Sequence, residues 1–299
     1  MGSLSIVMAG SSGFLGTHLR AELEGRGHQV TALVRRPTKR PDESTWDPYT
    51  GDVDRELIAS ADVVVNLAGA PTLGNPHSRT WARELHDSRV RTTETLAQAI
   101  ATAPEPPYFV AGNAVAWYGD HGDALLTEVA DSRGHSLMTT VCRDWQAAAQ
   151  PAVDAGGRVV FLRTSPIMDS ASAPLKQLRL LFRTGLGGRL GNGRQHMPMI
   201  SLRDWVGAAA YLVEHPTAFG PVNMTCVETP TNAEFTKALG EALHRPAFAT
   251  VPSPVLKVAT GRVAPELLGS VNTRPQALLD LGYEFSDPDV TAVLASGLS

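Results

Sequence analysis

The sequence predicts an α/β protein with a doubly wound parallel sheet, and two observations support this prediction. Short apolar segments alternate with helix-length segments through the first half of the 299-residue chain. Residues 62–67 (DVVVNL) contain an unbroken run of valines, which is typical of a central strand covered on both faces. Strands that alternate with helices are joined by right-handed crossovers, and we therefore expect a parallel sheet.

The predicted elements follow in chain order. Strands are expected at 4–9, 29–34, 62–67, 108–111 and 158–162, and helices at 13–25, 79–102 and 137–155. After Arg163 the composition changes, with five glycines in 185–193 and many prolines from residue 204 onward. We predict a nucleotide-binding domain of residues 1–165 and a smaller C-terminal α/β part of residues 166–299 that covers the substrate.

Composition argues against several classes of partner. The net charge of −4 gives no general attraction to nucleic acid or to an anionic membrane. No apolar segment is long enough to span a bilayer, and the first residues carry no cationic leader. Cys142 and Cys226 lie far apart, and the nine histidines show no metal-ligand spacing. We expect a cytoplasmic protein that acts on a small molecule and holds no metal.

Residues 10–16 (GSSGFLG) lie between an apolar strand and an amphipathic helix. In that position Gly10 permits a tight turn, Gly13 lets the backbone approach a pyrophosphate, and Gly16 lets the helix pack against the strand. The N–H groups at the helix N-terminus then face the phosphates. This pattern predicts a Rossmann-type domain whose cofactor-binding residues are Gly10, Ser11, Ser12, Gly13, Phe14, Leu15 and Gly16. The alternative is an ordinary strand-turn-helix.

The end of the second strand indicates which dinucleotide fits. A carboxylate is typical there when NAD is bound, because it holds the ribose hydroxyls. This chain has Arg35 and Arg36 instead, with Lys39 and Arg40 behind them. A guanidinium can pair with a 2′-phosphate, so the sequence predicts NADP. A solvated basic loop is the alternative.

Several segments resemble a known superfamily. Residues 10–16, 66–70 (NLAGA) and 115–119 (VAWYG) resemble the extended short-chain dehydrogenases/reductases. Residues 87–93, 141–146, 185–194 and 275–285 resemble its nucleoside-diphosphate-sugar epimerase-like family, with that family's characteristic C-terminal domain. The resemblance implies NADP binding. By position, it implies that Leu67, Ala68, Gly69 and Ala70 line the cofactor and that Pro166 and Ile167 lie near the nicotinamide.

The superfamily's usual acid–base residues are missing. The resemblance implies a tyrosine with a lysine four residues later on one helix, and this sequence has Met138 and Cys142 there. No tyrosine of the chain is followed by lysine at that spacing. Tyr118 is our candidate proton donor, because a neutral phenol can donate a proton. Asn113 is the candidate that orients a substrate oxygen. Simple packing and hydrogen bonding are the alternatives for both.

Three functions remain open on these observations. The first is an NADP-dependent oxidoreductase or epimerase-like enzyme without the usual Tyr-Lys pair, acting on a nucleotide sugar or another carbonyl compound. The second is a non-catalytic NADP(H)-binding sensor or interaction protein. The third retains sugar-nucleotide binding without turnover. Arg89, on the long helix beside the site, either meets an anionic substrate or is an ordinary solvated charge.

Overall fold

The structure is a computed structural model that describes residues 2–185, 187–215, 217–247 and 249–299. Its strands are β1 (Ser5–Ala9), β2 (Gln29–Val34), β3 (Glu43–Thr45), β4 (Val63–Asn66), β5 (Tyr108–Ala114), β6 (Leu125–Leu126), β7 (Val159–Thr164), β8 (Ile167–Met168), β9 (Gly188–Leu190), β10 (Ile200–Ser201), β11 (Gly220–Met224), β12 (Ala249–Val251) and β13 (Asn272–Thr273).

The α-helices alternate with these strands in the first half of the chain and cluster in the second. They are α1 (Phe14–Gly25), α2 (Arg55–Ala59), α3 (Arg79–Ala101), α4 (Leu137–Ala147), α5 (Gln150–Asp154), α6 (Ala173–Arg183), α7 (Leu202–Glu214), α8 (Asn232–Ala242), α9 (Ser253–Thr260), α10 (Ala264–Leu268), α11 (Gln276–Asp280) and α12 (Val290–Leu298). Short 3-10 turns occur at Val115–Trp117 and Gly261–Val263.

Seven strands form the central sheet in the order β11-β7-β5-β4-β1-β2-β3. Every neighbouring pair in it is parallel. The chain first builds outward from β1 through β2 and β3, and it then returns to β4 and builds in the other direction. The carboxyl ends of β1 and β4 therefore flank the point where the strand order reverses, which is where ligands bind on open α/β sheets. The predicted doubly wound α/β fold is confirmed.

Helices cover both faces of the sheet. On one face, apolar side chains of α1 and α7 pack on β1, β4, β5, β7 and β11 around the buried Trp205. On the other face, α2, α3 and α5 bury side chains such as Leu96 and Ile100 against β1, β2, β4, β5 and β7. Burial on both faces explains why the central strands are continuously apolar.

The C-terminal part has its own core, in which α6, α8 and α12 pack around Phe182, Phe235 and Leu294. The glycine-rich segment 185–193 contributes β9, which pairs with β12. Leu186 of that segment lies outside the described residues. Beyond residue 165 the chain returns to the N-terminal domain: β11 joins the central sheet, and α7 packs on one face of it. The predicted domain boundary at residue 165 stays a prediction.

Two predicted elements have different bounds in the structure. The single helix predicted over 137–155 is wrong, because α4 ends at Ala147 and α5 begins at Gln150. Pro151 lies in the first turn of α5, where its missing N–H group costs no helical hydrogen bond, whereas it would interrupt a continuous helix. The strand predicted to end at Ala111 continues to Ala114.

Asp204 joins the C-terminal segment to the helix layer. Its buried carboxylate, in the first turn of α7, accepts hydrogen bonds from the backbone N–H groups of Ser286 (2.9 Å) and Asp287 (2.7 Å). Burial raises the pKa of this carboxyl, and the two N–H donors oppose that shift. The charge is thus buried only because backbone donors from another segment satisfy it.

We expect Asp204→Ala to lower the free energy of unfolding by about 2 kcal/mol, because it leaves two N–H groups buried without an acceptor. Urea unfolding measures the loss. Asp280→Ala, which removes an exposed carboxylate of α11, is the control and should change the free energy by less than about 0.5 kcal/mol. Equal effects of the two substitutions would contradict the role of Asp204.

Candidate cofactor and substrate site

The turn after β1 is held in place by two close approaches. Gly10 has a φ of +80°, and a Cβ atom built on it would lie 2.5 Å from the carbonyl carbon of Leu67. A Cβ atom on Gly16 would lie 2.0 Å from the carbonyl oxygen of Gly10. The Gly13 N–H donates to that same oxygen at 3.0 Å. Only glycine fits at the first and last of these positions, so the first turn of α1 packs directly against the end of β1.

The N-terminus of α1 carries no side-chain cap. Its N-cap residue is Gly13, which together with Ser12 is exposed. By contrast, α3, α4, α6, α7, α8 and α12 each begin with a Ser, Thr or Asp side chain that accepts a backbone N–H. The N–H groups and the positive end of the α1 dipole therefore face the open crevice, an arrangement that fits a pyrophosphate.

The turn after β4 lies beside the glycine turn. The buried Asn66 accepts the Ala68 N–H at 3.1 Å and donates to the Thr93 hydroxyl of α3 at 2.9 Å. The Ala70 N–H donates to the Ser88 hydroxyl, also on α3, at 2.9 Å. Residues 67–70 are thus shaped by α3, and their small side chains leave space over the crevice. The structure brings together the two segments that the sequence predicted to line the cofactor.

Arg35 and Arg36 follow β2 and are both exposed, but their surroundings differ. Both terminal nitrogens of Arg36 donate to the carboxylate of Glu43, at 2.9 and 2.8 Å. Glu43 also accepts the backbone N–H of Lys39 at 2.8 Å and the Nε of Arg40 at 3.2 Å. The bidentate contact from Arg36 holds the pKa of Glu43 down at about 2. Within the part of the chain that the structure describes, the Arg35 side chain makes no hydrogen bond or ion pair.

Glu43 was not among the residues predicted from sequence. Its carboxylate organises the basic loop, with a side chain only 1% exposed. No motif marks a glutamate at the start of a short edge strand, although the pairing of β2 with β3 returns Glu43 to the side of β2, the strand that Arg36 follows.

Tyr118 and Asn113 are both buried in the protein core. The Tyr118 hydroxyl accepts from Nη1 of Arg163 at 2.9 Å and donates to Oδ1 of Asn223 at 2.7 Å. Burial raises the pKa of this phenol. The Asn113 amide donates to the carbonyl oxygen of Cys142 at 3.1 Å. A proton-transfer or orienting role would require these contacts to open, and it stays a prediction.

Arg163 is a buried cation on β7 that sequence reasoning missed. Its guanidinium stacks over the ring of Trp117 at 3.6 Å and also contacts Tyr118. Nearby, the buried Glu128 accepts the backbone N–H of Asn223 at 3.0 Å. A stacked guanidinium tolerates this environment better than an ammonium would. The sequence signal was weak: one arginine near the end of an otherwise apolar strand.

Arg89 is the second buried cation, only 7% exposed, so its interpretation as a solvated helical charge is wrong. Its Nη1 donates to the carbonyl oxygen of Leu85 at 3.0 Å, and its guanidinium lies 5.2 Å from the ring centre of Trp145. Its side chain packs against Gly69, where a Cβ atom would lie 3.4 Å away. Burial lowers the pKa of Arg89. Among the described residues it has no carboxylate partner.

Arg89 acts electrostatically on the residue that stands where the resemblance places the lysine. Burial raises the pKa of the Cys142 thiol to about 12, and the charge of Arg89 opposes this shift. A cation is therefore present near the lysine position, but it comes from α3 rather than from α4.

The turn after β7 supplies the residues predicted near the nicotinamide. Pro166 is exposed, and Ile167 is buried and pairs with Ile200. Beside them the buried Ser165 hydroxyl has no hydrogen-bond partner among the described residues. Contacts of Pro166 and Ile167 with a nicotinamide stay predictions.

The described ranges contain neither a candidate metal-binding group nor a candidate membrane-spanning helix. Their His, Cys, Asp and Glu side chains form no group of three or more that could hold a metal ion. Within the same ranges, no helix has the length and apolar character needed to cross a bilayer.

Comparison with known proteins identifies the family. The model of the NAD dependent epimerase/dehydratase family matches residues 6–224. The chain belongs to this family. A domain of unknown function, DUF1731, matches residues 251–296. The epimerase family protein Mb2239 of Mycobacterium bovis is 38% identical over 286 residues, covering 95% of this chain and 94% of the relative.

Solved structures of other family members have the same fold. The human epimerase family protein SDR39U1, solved with NADPH, superposes with a TM-score of 0.85 at 34% identity and covers 98% of both chains. A nucleoside-diphosphate sugar epimerase from Corynebacterium glutamicum gives a TM-score of 0.79 at 32% identity. That match covers 99% of this chain and 58% of the Corynebacterium chain, so the Corynebacterium protein is considerably longer.

Tyr118→Phe should lower the free energy of unfolding by about 1–2 kcal/mol, because Arg163 and Asn223 each lose a buried partner. The affinity for NADPH should not change, since the hydroxyl lies inside the core. Denaturant unfolding and calorimetric titration measure the two quantities. Tyr49→Phe is the control, because Tyr49 is about half exposed and its hydroxyl makes no hydrogen bond within the described residues. Loss of NADPH affinity without loss of stability would instead place Tyr118 in the site.

Proposed function

We propose that this protein is an NADP(H)-dependent oxidoreductase or epimerase-like enzyme of the extended short-chain type. The uncapped N-terminus of α1 is the observation that carries the proposal. It opens onto a crevice bounded by Gly10 and by residues 67–70, at the point where the strand order reverses. A pyrophosphate fits there because free N–H groups and the positive end of a helix dipole face it.

Arg35 distinguishes NADP from NAD in this proposal. Its exposed guanidinium follows β2, on the side of the sheet where the adenosine ribose of a bound dinucleotide lies. Glu43 keeps Arg36 and the loop in place, which leaves Arg35 available for a 2′-phosphate. The NADPH in the human relative's structure supports this choice of cofactor.

Arg89 is proposed to hold the nicotinamide half of the cofactor. A buried guanidinium without a carboxylate partner is costly, and a ligand oxygen would relieve that cost. Its neighbours Gly69 and Cys142 come from the cofactor-lining turn and from the helix that bears the Tyr-Lys pair in the superfamily. Bound NADPH would supply a hydride at this end of the crevice.

A non-catalytic NADP(H)-binding protein is the rival function. The burial of Tyr118 and Asn113 favours it, because neither candidate presents a free polar group to a substrate. Both proposals share the cofactor site and differ only in turnover. Oxidation of bound NADPH by a carbonyl compound supports the enzyme, and tight binding without oxidation supports the rival.

We expect Arg35→Asp to weaken NADPH binding by roughly tenfold to a hundredfold, because a charged hydrogen bond to the 2′-phosphate is lost. NADH lacks that phosphate, and its affinity should not fall. Calorimetric titration of both nucleotides measures the difference. Arg183→Asp removes an exposed cation of α6 and is the control. Equal losses for NADPH and NADH would refute the assignment of Arg35.

Arg89→Met should weaken NADPH binding by about tenfold or more while leaving the affinity for adenosine 2′,5′-bisphosphate unchanged. The bisphosphate has the adenosine end of NADPH but lacks the nicotinamide half that Arg89 is proposed to meet. Fluorescence titration measures both affinities. Arg91→Met, which alters an exposed arginine of the same helix, is the control. An equal loss of affinity for both ligands would indicate that Arg89 contacts the adenosine half. Unchanged affinity for both would indicate that Arg89 has only a structural role.

A further inference from the structure

Glu266, a residue of α10, contacts the first turn of α4, the helix on which the superfamily's tyrosine and lysine are missing. Its Oε1 accepts from the hydroxyl of Ser136, the N-cap of α4, at 2.6 Å and from the backbone N–H of Met138 at 3.1 Å. The 3-10 turn that precedes α10 contacts the segment before α3, where the N–H of Arg262 donates to the carbonyl oxygen of Pro76 at 3.4 Å. The C-terminal part therefore links the start of α4 with the segment that leads into α3.

The position of Glu266 matters because of how helical side chains point. Side chains on a helix tilt toward its N-terminus, so a tyrosine at position 138 would direct its hydroxyl toward the first turn of α4. The carboxyl group of Glu266 lies at that turn. The pKa of the thiol of Cys142, one helical turn further along, responds to the charges of both Glu266 and Arg89. A carboxyl group and a cation thus stand near the two positions where the superfamily has tyrosine and lysine.

Oε1 of Glu266 already accepts two donors, so Oε2 is the oxygen that would carry the proton of a protonated carboxyl group. Oε2 is buried and has no partner among the described residues. Burial raises the pKa of this carboxyl, and the contacts with Ser136 and Met138 oppose the shift only in part. A protonated Glu266 therefore has an O–H group at Oε2 that lacks an acceptor. A ligand oxygen could be that acceptor.

The charged groups around Glu266 leave it without an ion-pair partner in the described ranges. Arg89 on α3 and Arg163 on β7 reach the Cys142 thiol electrostatically, and neither hydrogen-bonds Glu266. Asp120 and Lys257 line a concavity beside α10 together with Leu268 and Gly269, and neither forms an ion pair with Glu266 among the described residues. The carboxyl group is thus free to change its protonation state without breaking a salt bridge.

We propose that Glu266 is the proton donor to the substrate oxygen, through Oε2; this rests on the proposed NADP(H)-dependent function. The substrate is an uncharged aldehyde or ketone whose oxygen accepts from Oε2. As the carbonyl carbon receives the hydride, its π electrons move to the oxygen, which takes the proton from Oε2 and becomes a hydroxyl. Glu266 is left as a carboxylate, which the Ser136 hydroxyl, the Met138 N–H and the dipole of α4 stabilise until water returns a proton.

Infrared difference spectroscopy between the wild type and Glu266→Gln tests the proton directly. Glutamine keeps the acceptor oxygen for Ser136 and Met138 but cannot carry the acid proton. At a pH just above the ordinary range of a glutamate pKa, the wild type should show a protonated-carboxyl band that Glu266→Gln lacks, and the band should shift when diacetyl is added to the NADP⁺ complex. Absence of the band, or a band that diacetyl does not move, would overturn the proposal.

The pH dependence of stability gives a second reading that needs no ligand. A carboxyl whose pKa is raised on folding stabilises the protein below its unfolded-state pKa, and this contribution is lost as pH rises through its folded-state pKa. The free energy of unfolding of the wild type should therefore fall relative to that of Glu266→Gln over this range. A constant difference between the two across the range would mean that Glu266 has an ordinary pKa, and the proposal would fail.

Turnover separates the proton donor from a structural acid. With diacetyl, glyceraldehyde and isatin as carbonyl probes, Glu266→Gln should lower kcat by roughly a hundredfold with unchanged NADPH affinity. Glu128→Gln is the matched control, because Glu128 is also buried with a raised pKa but accepts only backbone donors of the core. Equal rates for the wild type and Glu266→Gln would overturn the proposal. Loss of NADPH binding by the wild type would instead overturn the proposed function.

Discussion

The close approach of three backbone segments at the reversal of strand order determines the geometry of the site. Gly10 packs against the turn after β4, and the first turn of α1 packs against Gly10. Any side chain at Gly10 or Gly16 would force these segments apart. Their contact aims the bare N-terminus of α1 into the crevice and sets residues 67–70 beside it. The packing of the Arg89 side chain against Gly69 belongs to the same arrangement.

Charge in the interior is arranged differently from what the superfamily's motif implies. Where a tyrosine and a lysine would share one helix, this chain has Met138 and Cys142, and ionisable groups approach from other elements. Arg89 comes from α3, Arg163 from β7 and Glu266 from α10. The Arg163 guanidinium stacks on the Trp117 ring and donates a hydrogen bond to the Tyr118 hydroxyl, and these contacts stabilise its charge within the core. Among the described residues Arg89 makes one side-chain hydrogen bond, to the carbonyl oxygen of Leu85, and Oε2 of Glu266 makes none, whereas the Arg163 guanidinium donates three. That difference is why we assign Arg89 and Glu266 roles toward ligands.

The sequence predicted the sheet and the glycine turn because both depend on local patterns. Apolar runs, glycine spacing and helical periodicity can each be recognised in the sequence without knowledge of the tertiary contacts. It did not predict that β11 joins the sheet, because Gly220–Met224 includes a proline and follows a long excursion through the C-terminal part. That strand lies at the sheet edge, where a missing N–H is tolerated.

The site residues divide in the same way. Residues 10–16 and 67–70 form neighbouring turns, and their contacts with a cofactor stay predictions. Tyr118 lies in the core, because nothing in a local motif reveals that Arg163 and Asn223 surround its hydroxyl. Glu43 and Glu266 were missed for a related reason. Each acts through partners on another element, and such pairings appear only when the chain is folded. The break between α4 and α5 has one local signal, Pro151, which the prediction of a single helix over 137–155 does not use.

A crystal structure of the protein grown with NADPH tests the central claim most directly. The account predicts that the pyrophosphate lies over residues 10–16, that the 2′-phosphate contacts Arg35, and that the nicotinamide half reaches the Arg89 guanidinium. A nucleotide bound elsewhere, or a 2′-phosphate that lies away from Arg35, would contradict the account.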